Sequence, residues 1–406
     1  MYFYKICREK TVNKDLDSLS QYPFYFLSKL LNVGNKVDPD SINLSIGEPK
    51  QSPPQECLDL IHKDSQALSQ YPTSKGLDQL RDSYEGWLKR RFNLEPQTKL
   101  EQCVLPLGGT REGIFSFMQA SIDRNQKKPT VIVPNPFYKI YEGAAKMAGA
   151  DCFYLNSEKE NDFRPDFNSI PEDVLENCQI LILCSPSNPT GYCLTEKDYS
   201  EVIRLANKFN FIICSDECYV DIYPSDKKAP LGLLEFLKFD QTDPKFAVFH
   251  SLSKRSNLAG LRSGFIVGSE ELIEKVLLYR TYHGVTIPIP SQKASIWAWE
   301  DELHVEQNRL NYDKKYDLSL EILSDYPHIR RPNGSFYFWI ETPCSDEEFT
   351  QALYEREKVI VLPGSYLGQE KFGVNPGYGF IRVAVVHEID TVEKSMISIL
   401  NVLNSY

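Results

Sequence analysis

One lysine in this chain stands where covalent chemistry could happen. Lys254 lies within FAVFHSLSKRSNLAGLRSGFIVG, residues 246–268. The stretch reads as an apolar strand, a small polar turn, a short helix and a second apolar strand. A lysine amine can condense with an aldehyde and so become a covalent catalyst. Ser251 and Ser253 precede Lys254, and Gly260, Arg262 and Gly264 follow it. Two hydroxyls and a guanidinium fork so close would suit the phosphate of an aldehyde that carries one. Most lysines are solvated surface residues, and Ser-x-Ser-Lys alone does not exceed that reading. The rest of the chain must supply partners.

Candidates recur along the sequence. Gly108-Gly109-Thr110-Arg111 joins a short apolar strand pattern to a helix at 111–122. This is the layout of a backbone anion site, and equally that of an ordinary capped helix. Ser185-Pro-Ser-Asn-Pro-Thr-Gly191, which contains Asn188, follows the apolar run Ile180–Cys184 and is too rich in turn residues to be helical. Asp216 ends the run 211–215, with Tyr219 three residues on. A carboxylate at the carboxyl end of an α/β strand points into the ligand crevice. Arg382, in Phe-Ile-Arg-Val-Ala, is a strand arginine among apolar residues. It is costly there unless paired, and it could clamp a carboxylate bidentately. Gly47 sits in the strand-turn NLSIGEP, Tyr138 in NPFYKIY at a helix start, and Tyr71 opens the turn-rich YPTSKG.

In order and over most of the chain, these motifs resemble the pyridoxal-phosphate-dependent aminotransferases of fold type I, class I/II. The shared elements are Ser-x-Ser-Lys with Gly-x-Arg-x-Gly, Asn-Pro-x-Gly after a buried strand, and Asp-x-x-Tyr. The resemblance implies pyridoxal 5'-phosphate on Lys254. It implies Asp216 opposite the ring nitrogen, keeping the ring an electron sink. Asn188 and Tyr219 would serve its phenolic oxygen, and Tyr138 would stack on the ring. Gly109, Thr110, Arg111, Ser251, Ser253 and Arg262 would surround the phosphate, with Tyr71 reaching that of a neighbouring subunit. Gly47, Asn188 and Arg382 would meet the substrate. Transamination by a ping-pong route follows, with Lys254 moving the proton. The partners would be amino and keto acids such as glutamate and 2-oxoglutarate, the assembly a homodimer, and no metal is implied.

Arg255-Ser-Asn257, Leu278–Gly284 and Gln21–Phe24 depart from the generic pattern. They look like the bacterial N-succinyldiaminopimelate aminotransferases of the lysine/diaminopimelate route. That likeness implies N-succinyl-LL-2,6-diaminopimelate as substrate, with Arg255 or Arg280 as the cation for its distal carboxylate. Another aminotransferase (aspartate, alanine or aromatic) or a carbon-sulfur lyase would share every cofactor residue.

The elements that must position these residues are those of an α/β fold. The resemblance implies a large domain with a mostly parallel seven-stranded sheet between helices, plus a smaller α+β domain. It divides the chain into an N-terminal arm with part of the small domain (1–46), a large cofactor-binding domain (47–290), and a bridging helix with the small C-terminal domain (291–406). Apolar spacing predicts helices over 19–31, 54–69, 77–92, 141–148, 196–208 and 272–282, and one long helix from 291 to about 318. It predicts strands at 43–49, 329–332, 335–340, 359–362 and 380–384. The 406 residues carry a net charge of -11, which disfavours nucleic acid and anionic membranes as partners. No apolar run is long enough for a signal peptide or a membrane span. The 10 cysteines are scattered without a CxxC pair, as expected of reduced thiols in a cytoplasmic protein. Cys214 and Cys218 lack the second pair a metal site needs.

Overall fold

The structure is a computed structural model that describes residues 13–33, 38–371 and 373–406. The parts of the expected N-terminal arm at 1–12 and 34–37 lie outside the described residues. The strands, in chain order, are β1 (Ile42–Asn43), β2 (Val104–Leu107), β3 (Thr130–Asn135), β4 (Asp151–Asn156), β5 (Cys178–Cys184), β6 (Ile212–Asp216), β7 (Phe246–Ser251), β8 (Gly264–Gly268), β9 (Tyr337–Glu341), β10 (Val359–Ile360), β11 (Leu362–Pro363) and β12 (Phe380–Ala384).

Seven of them form one sheet in the order β2-β8-β7-β6-β5-β3-β4. Strands β4, β3, β5, β6 and β7 run parallel, and β8 is antiparallel to both β7 and β2. The central strands are apolar on both faces because both faces are covered; every residue of β7 is buried. One face packs Tyr84, Trp87, Phe265 and Trp299, and the other packs Ile114, Phe117, Tyr141 and Val276. From β3 the chain goes first outward to β4 and then to the other side, to β5. Such a reversal opens a crevice at the carboxyl ends of the strands. The carboxyl ends of β5, β6 and β7 carry Cys184, Asp216 and Ser251 to it.

A smaller unit is built on the antiparallel sheet β11-β12-β9, with β1 paired parallel to β10. Helices Leu303–Ile322, Asp346–Glu357 and Ile389–Leu403 enclose a core that includes Tyr312, Tyr316, Phe338 and Ile399. The last of these helices had no counterpart in the sequence expectations. Among the bonds that clasp the two units are those of Asn135 and Phe137. Phe137 donates its N–H to Leu367 O at 3.0 Å, and Gln369 donates its N–H to Asn135 Oδ1 at 2.9 Å. Asn135 Nδ2 returns a bond to Gln369 O at 2.8 Å.

Four expectations need correction. The single strand at 359–362 is two, β10 paired with β1 and β11 paired with β12, with Val361 as the crossing between the sheets. The long helix from 291 is two helices, Ile289–Glu300 and Leu303–Ile322. Asp301 between them is extended, and its carboxylate accepts the His304 N–H at 3.0 Å, so a capping aspartate ends one helix and starts the next. The hydrophobic cores change over there: Ala294, Ala298 and Trp299 pack with the large sheet, Tyr312 and Tyr316 with the small one. No strand forms at 329–332. Pro332 has no N–H to give a ladder, and Arg331 instead pairs with Asp313 and lies over the Tyr316 ring. The strand expected at 43–49 ends at Asn43, with Leu44 adding backbone bonds to Ile360 and Ala384, and the rest of the segment is not strand.

Candidate active site

A cavity of about 410 Å³ opens at the crevice between the two units. Of its charged lining side chains, five are cationic (Arg111, Lys139, Lys254, Arg262 and Arg382) and two are carboxylates (Glu48 and Asp216). The cavity is therefore locally basic on an acidic chain, which suits anionic ligands.

One end is a cradle for an anion. Gly109 has φ +92, and the helix Thr110–Ser121 starts directly after it. A Cβ on Gly109 would lie 2.2 Å from the Arg262 guanidinium, so the turn must be glycine for Arg262 to lie against it. Arg262 Nη1 donates to Ala259 O at 2.8 Å. The Ser251 hydroxyl accepts the Ser253 N–H at 3.1 Å, which leaves its own proton to donate. Thr110 and Ser253 complete this wall.

The floor holds Asp216, buried, with Oδ2 accepting from the Tyr141 hydroxyl at 2.6 Å and Oδ1 from the Cys218 N–H at 3.3 Å. Burial raises its pKa, while those hydrogen bonds and Lys254 oppose the rise. Lys254 Nζ donates to the Gly47 carbonyl. Withdrawal from water lowers the amine's pKa to about 8; Arg382 and Arg111 push the same way, against Cys218 and Glu48. At neutral pH such an amine is neutral far more often than an ordinary lysine.

The opposite wall comes from the small unit. Arg382 donates through Nη1 to Asn188 Oδ1 at 2.8 Å and through Nη2 to Ser45 O at 2.7 Å. Its guanidinium lies 4.4 Å from the Tyr337 ring centroid. Its Nε is buried with no hydrogen-bond partner among the described residues. The Tyr337 hydroxyl shares a hydrogen bond with that of Tyr219 at 3.1 Å. At the mouth, Arg111 donates to the Tyr138 hydroxyl at 2.6 Å, and its guanidinium lies 5.7 Å from the Tyr138 ring and 5.9 Å from the Tyr22 ring.

The residues present fit pyridoxal phosphate. A weakly basic amine, a buried carboxylate for a ring nitrogen, and a glycine-backed cradle for a phosphate line one cavity. The orphaned Arg382 Nε is a donor waiting for an acceptor. Among the described residues no group of histidine, cysteine and carboxylate side chains could hold a metal ion. None of the helices among them is long and apolar enough to cross a membrane.

Most of the sequence-derived residues line this cavity: Gly47, Thr110, Arg111, Tyr138, Asn188, Asp216, Tyr219, Ser251, Ser253, Lys254, Arg262 and Arg382. Gly109 backs Arg262, and Tyr71 lies outside with its side chain fully exposed. Arg255 and Arg280 were expected near the pocket and are not in it. Arg255 is 3% exposed and paired with Asp221 and Glu302; Arg280 is 1% exposed and paired with Glu112. Neither is free for a substrate. Sequence reasoning gave no site role to Tyr141, Cys184, Cys218, Tyr337, Lys139 or Glu48, and singled out Gln21–Phe24 only as a departure from the generic pattern, where Tyr22–Phe24 form a wall of the cavity. Tyr141 could have been found, since it lies one helical turn after Tyr138.

The family model for aminotransferase class I and II matches residues 39–399. The LL-diaminopimelate aminotransferase of Dehalococcoides mccartyi is 31% identical over 398 residues, covering 96% of this chain and 98% of that protein. Among solved structures, an aminotransferase from Neisseria meningitidis superposes with a TM-score of 0.90 at 38% identity, over 97% of this chain and 100% of that one. Aminotransferase AspB from Helicobacter pylori does so with a TM-score of 0.86 at 35% identity, over 96% and 100%. With nearly its whole length matched, and a cavity that fits the cofactor, the chain belongs to the class I and II aminotransferases, pyridoxal-phosphate-dependent enzymes of fold type I.

Proposed function

We propose that this aminotransferase acts on a long amino acid with a second anionic group far from the reacting amine. N-succinyl-LL-2,6-diaminopimelate is the candidate, with glutamate and 2-oxoglutarate as the other pair, on the lysine/diaminopimelate route. The observation that carries this is Arg111. It lines the cavity on a different wall from Arg382 and has no ion-pair partner among the described residues. Arg382 would hold the α-carboxylate; Arg111, expected from the sequence at the phosphate, stands beside Tyr138 and Tyr22 at the mouth and would meet the distal one. LL-diaminopimelate, the substrate in the names of several relatives, shares the skeleton but adds a distal ammonium. The cavity's two carboxylates are engaged, Asp216 by Tyr141 and Glu48 by Lys50. Asp216 is buried under its bond, whereas the Glu48–Lys50 pair is half exposed and weak, so Glu48 alone could meet that ammonium and the donor panel separates the two compounds.

The chain's own residues divide the work. Pyridoxal phosphate, when bound, supplies the electron sink for cleaving a bond at Cα. Arg382 and Asn188 fix the carboxylate and so the orientation of Cα. Lys254 Nζ, with its lowered pKa, takes the Cα proton and delivers it again as general base and acid. Asp216 would hold the ring nitrogen, and its carboxylate would keep that nitrogen protonated; Tyr22 and Phe24 shield the mouth from water. Tyr71, exposed on its own protomer, would complete a neighbour's phosphate site and makes the active form a homodimer.

A panel of amino donors with 2-oxoglutarate tests the substrate: succinylated diaminopimelate, LL-diaminopimelate, N-acetylornithine, aspartate, alanine and phenylalanine. The succinylated compound should lead. Aspartate or phenylalanine ahead of it by about tenfold, where about 1.4 kcal/mol separates the two, would reject the narrow reading. Arg111→Met should cost roughly ten- to a hundredfold in kcat/KM for the succinylated compound, the scale of a lost charge-assisted bond, with far less change for alanine.

A further inference from the structure

The three residues after Lys254 do not face the cavity; each reaches the junction between helices Ile289–Glu300 and Leu303–Ile322. Arg255 Nη1 donates to Ala298 O at 3.0 Å and Nη2 to Glu302 at 2.6 Å, while Nε lies 2.9 Å from Asp221. The Ser256 hydroxyl shares a hydrogen bond with His304 Nε2 at 2.8 Å, and His304 Nδ1 one with Asp301 at 2.6 Å. Asn257 donates to Asn308 Oδ1 at 3.2 Å. Asn308 in turn donates to the backbone carbonyl of Arg255 at 3.1 Å and, more weakly, to that of Lys254 at 3.5 Å.

Lys254 sits in a helix of four residues, Leu252–Arg255. So short a helix does not hold itself, and its placement must come from outside. Against burial, Arg255 and then Arg91 hold the Asp221 carboxyl below its ordinary range, so Arg255 is not its sole counter-charge. Asp221 already has Arg91 at 2.9 Å, and the Glu302 side chain is 43% exposed. What Arg255 adds is a planar fork that hydrogen-bonds Ala298 O and Glu302 while its Nε stands in ion-pair range of Asp221, which a flexible point charge would not reproduce. Beyond the junction, helix Leu303–Ile322 places Tyr312 and Tyr316 in the small unit's core, against the strands that carry Tyr337 and Arg382.

We propose that Arg255, with Asn308, is a positioning residue: a strut that sets Lys254 relative to the unit that carries Arg382. The inference rests on Lys254 as proton carrier and not on the proposed substrate. A wild-type enzyme that turns over any amino acid of the panel, taken at its fastest, suffices to test it.

The experiment compares Arg255→Met, Arg255→Lys and Asn308→Ala in the full-length holoenzyme. Misplacement by about an ångström can cost a hundredfold. Arg255→Met should therefore lose about ten- to a hundredfold in kcat with KM for the amino donor nearly unchanged. Arg255→Lys should recover part of that loss, and Asn308→Ala should fall in the same direction. A second readout needs no turnover: in cofactor-free protein, the pH profile of Lys254 acylation, mapped by mass, should shift in Arg255→Met. Full kcat and an unshifted profile in Arg255→Met and Asn308→Ala, whatever their melting temperatures, would overturn the proposal. A kcat loss matched by an equal rise in KM would also overturn it. If Arg255→Met does not fold, Asn308→Ala decides, because it removes no buried charge.

Discussion

Two buried lysines with the same lowered pKa serve different ends. Lys254 stands in the cavity against the Gly47 carbonyl. Lys315 lies in the small unit, 3% exposed, its Nζ without a hydrogen-bond partner among the described residues, and burial lowers its pKa to about 8. Lys315→Met should therefore stabilise the protein at neutral pH by roughly 1–3 kcal/mol, since a buried ammonium without a hydrogen bond is costly and the Tyr312 ring, 5.2 Å away, offsets only part of that. The sign is fixed by linkage. Below pH 8 both the folded and unfolded chains hold the proton and the penalty is complete. Between about 8 and the ordinary 10.5 the folded chain has shed it and the unfolded has not, so stability rises with pH. Denaturant melts of wild type and variant should converge across that window. Asp216→Asn keeps the shape of the floor and loses its charge. Cofactor should still bind while turnover falls about a hundredfold or more, as for a lost electrostatic stabiliser. Asp216 and Arg382 were legible because each ends or sits in a strand pattern, and Asn188 and Lys254 because each closely follows one among turn residues at fixed offsets. Arg255 misled because adjacency to Lys254 says nothing about direction. On a helix the next side chain points roughly 100° away, and here it points into Trp87 and Trp299.

At the level of elements, the turn after β1 is locked against β9. A Cβ on Gly47 would fall 1.8 Å from the Tyr337 hydroxyl. Gly47→Ala must displace Tyr337, and with it the partner of Tyr219 and the ring beneath Arg382. We expect a higher KM for every amino acid of the panel, while melting temperature changes little; an unchanged KM would mean that the turn yields instead. Apolar periodicity revealed the sheet strands, because a strand covered on both faces has to be apolar throughout. It could not reveal the break at Asp301, since neither flanking helix has a marked apolar face whose phase could be seen to change. Nor could it reveal Tyr337, which meets Tyr219 across 118 positions of sequence.

For the whole molecule, the proposed homodimer gives a mixing test. Subunits carrying Tyr71→Phe, combined with subunits carrying Lys254→Ala, put both lesions in one site of a hybrid and leave the other intact. Activity above that of the Lys254→Ala homodimer is expected, and a fully active monomer in sedimentation would reject the shared site. The exposed Tyr71, at 101% of its reference surface, has no role visible in one protomer. The sequence offered it only through its place in YPTSKG.

The clasp between Asn135–Phe137 and Leu367–Gln369 gives the molecule a built-in clock. The Phe137 and Gln369 amides are each bonded to an acceptor in the other unit. Their protons can trade with deuterium only when the units part there, so their exchange rates time that parting directly. Substrate that bridges Arg111 and Arg382 should slow both amides together. Amides within β6, which belong to one unit alone, should keep their own pace.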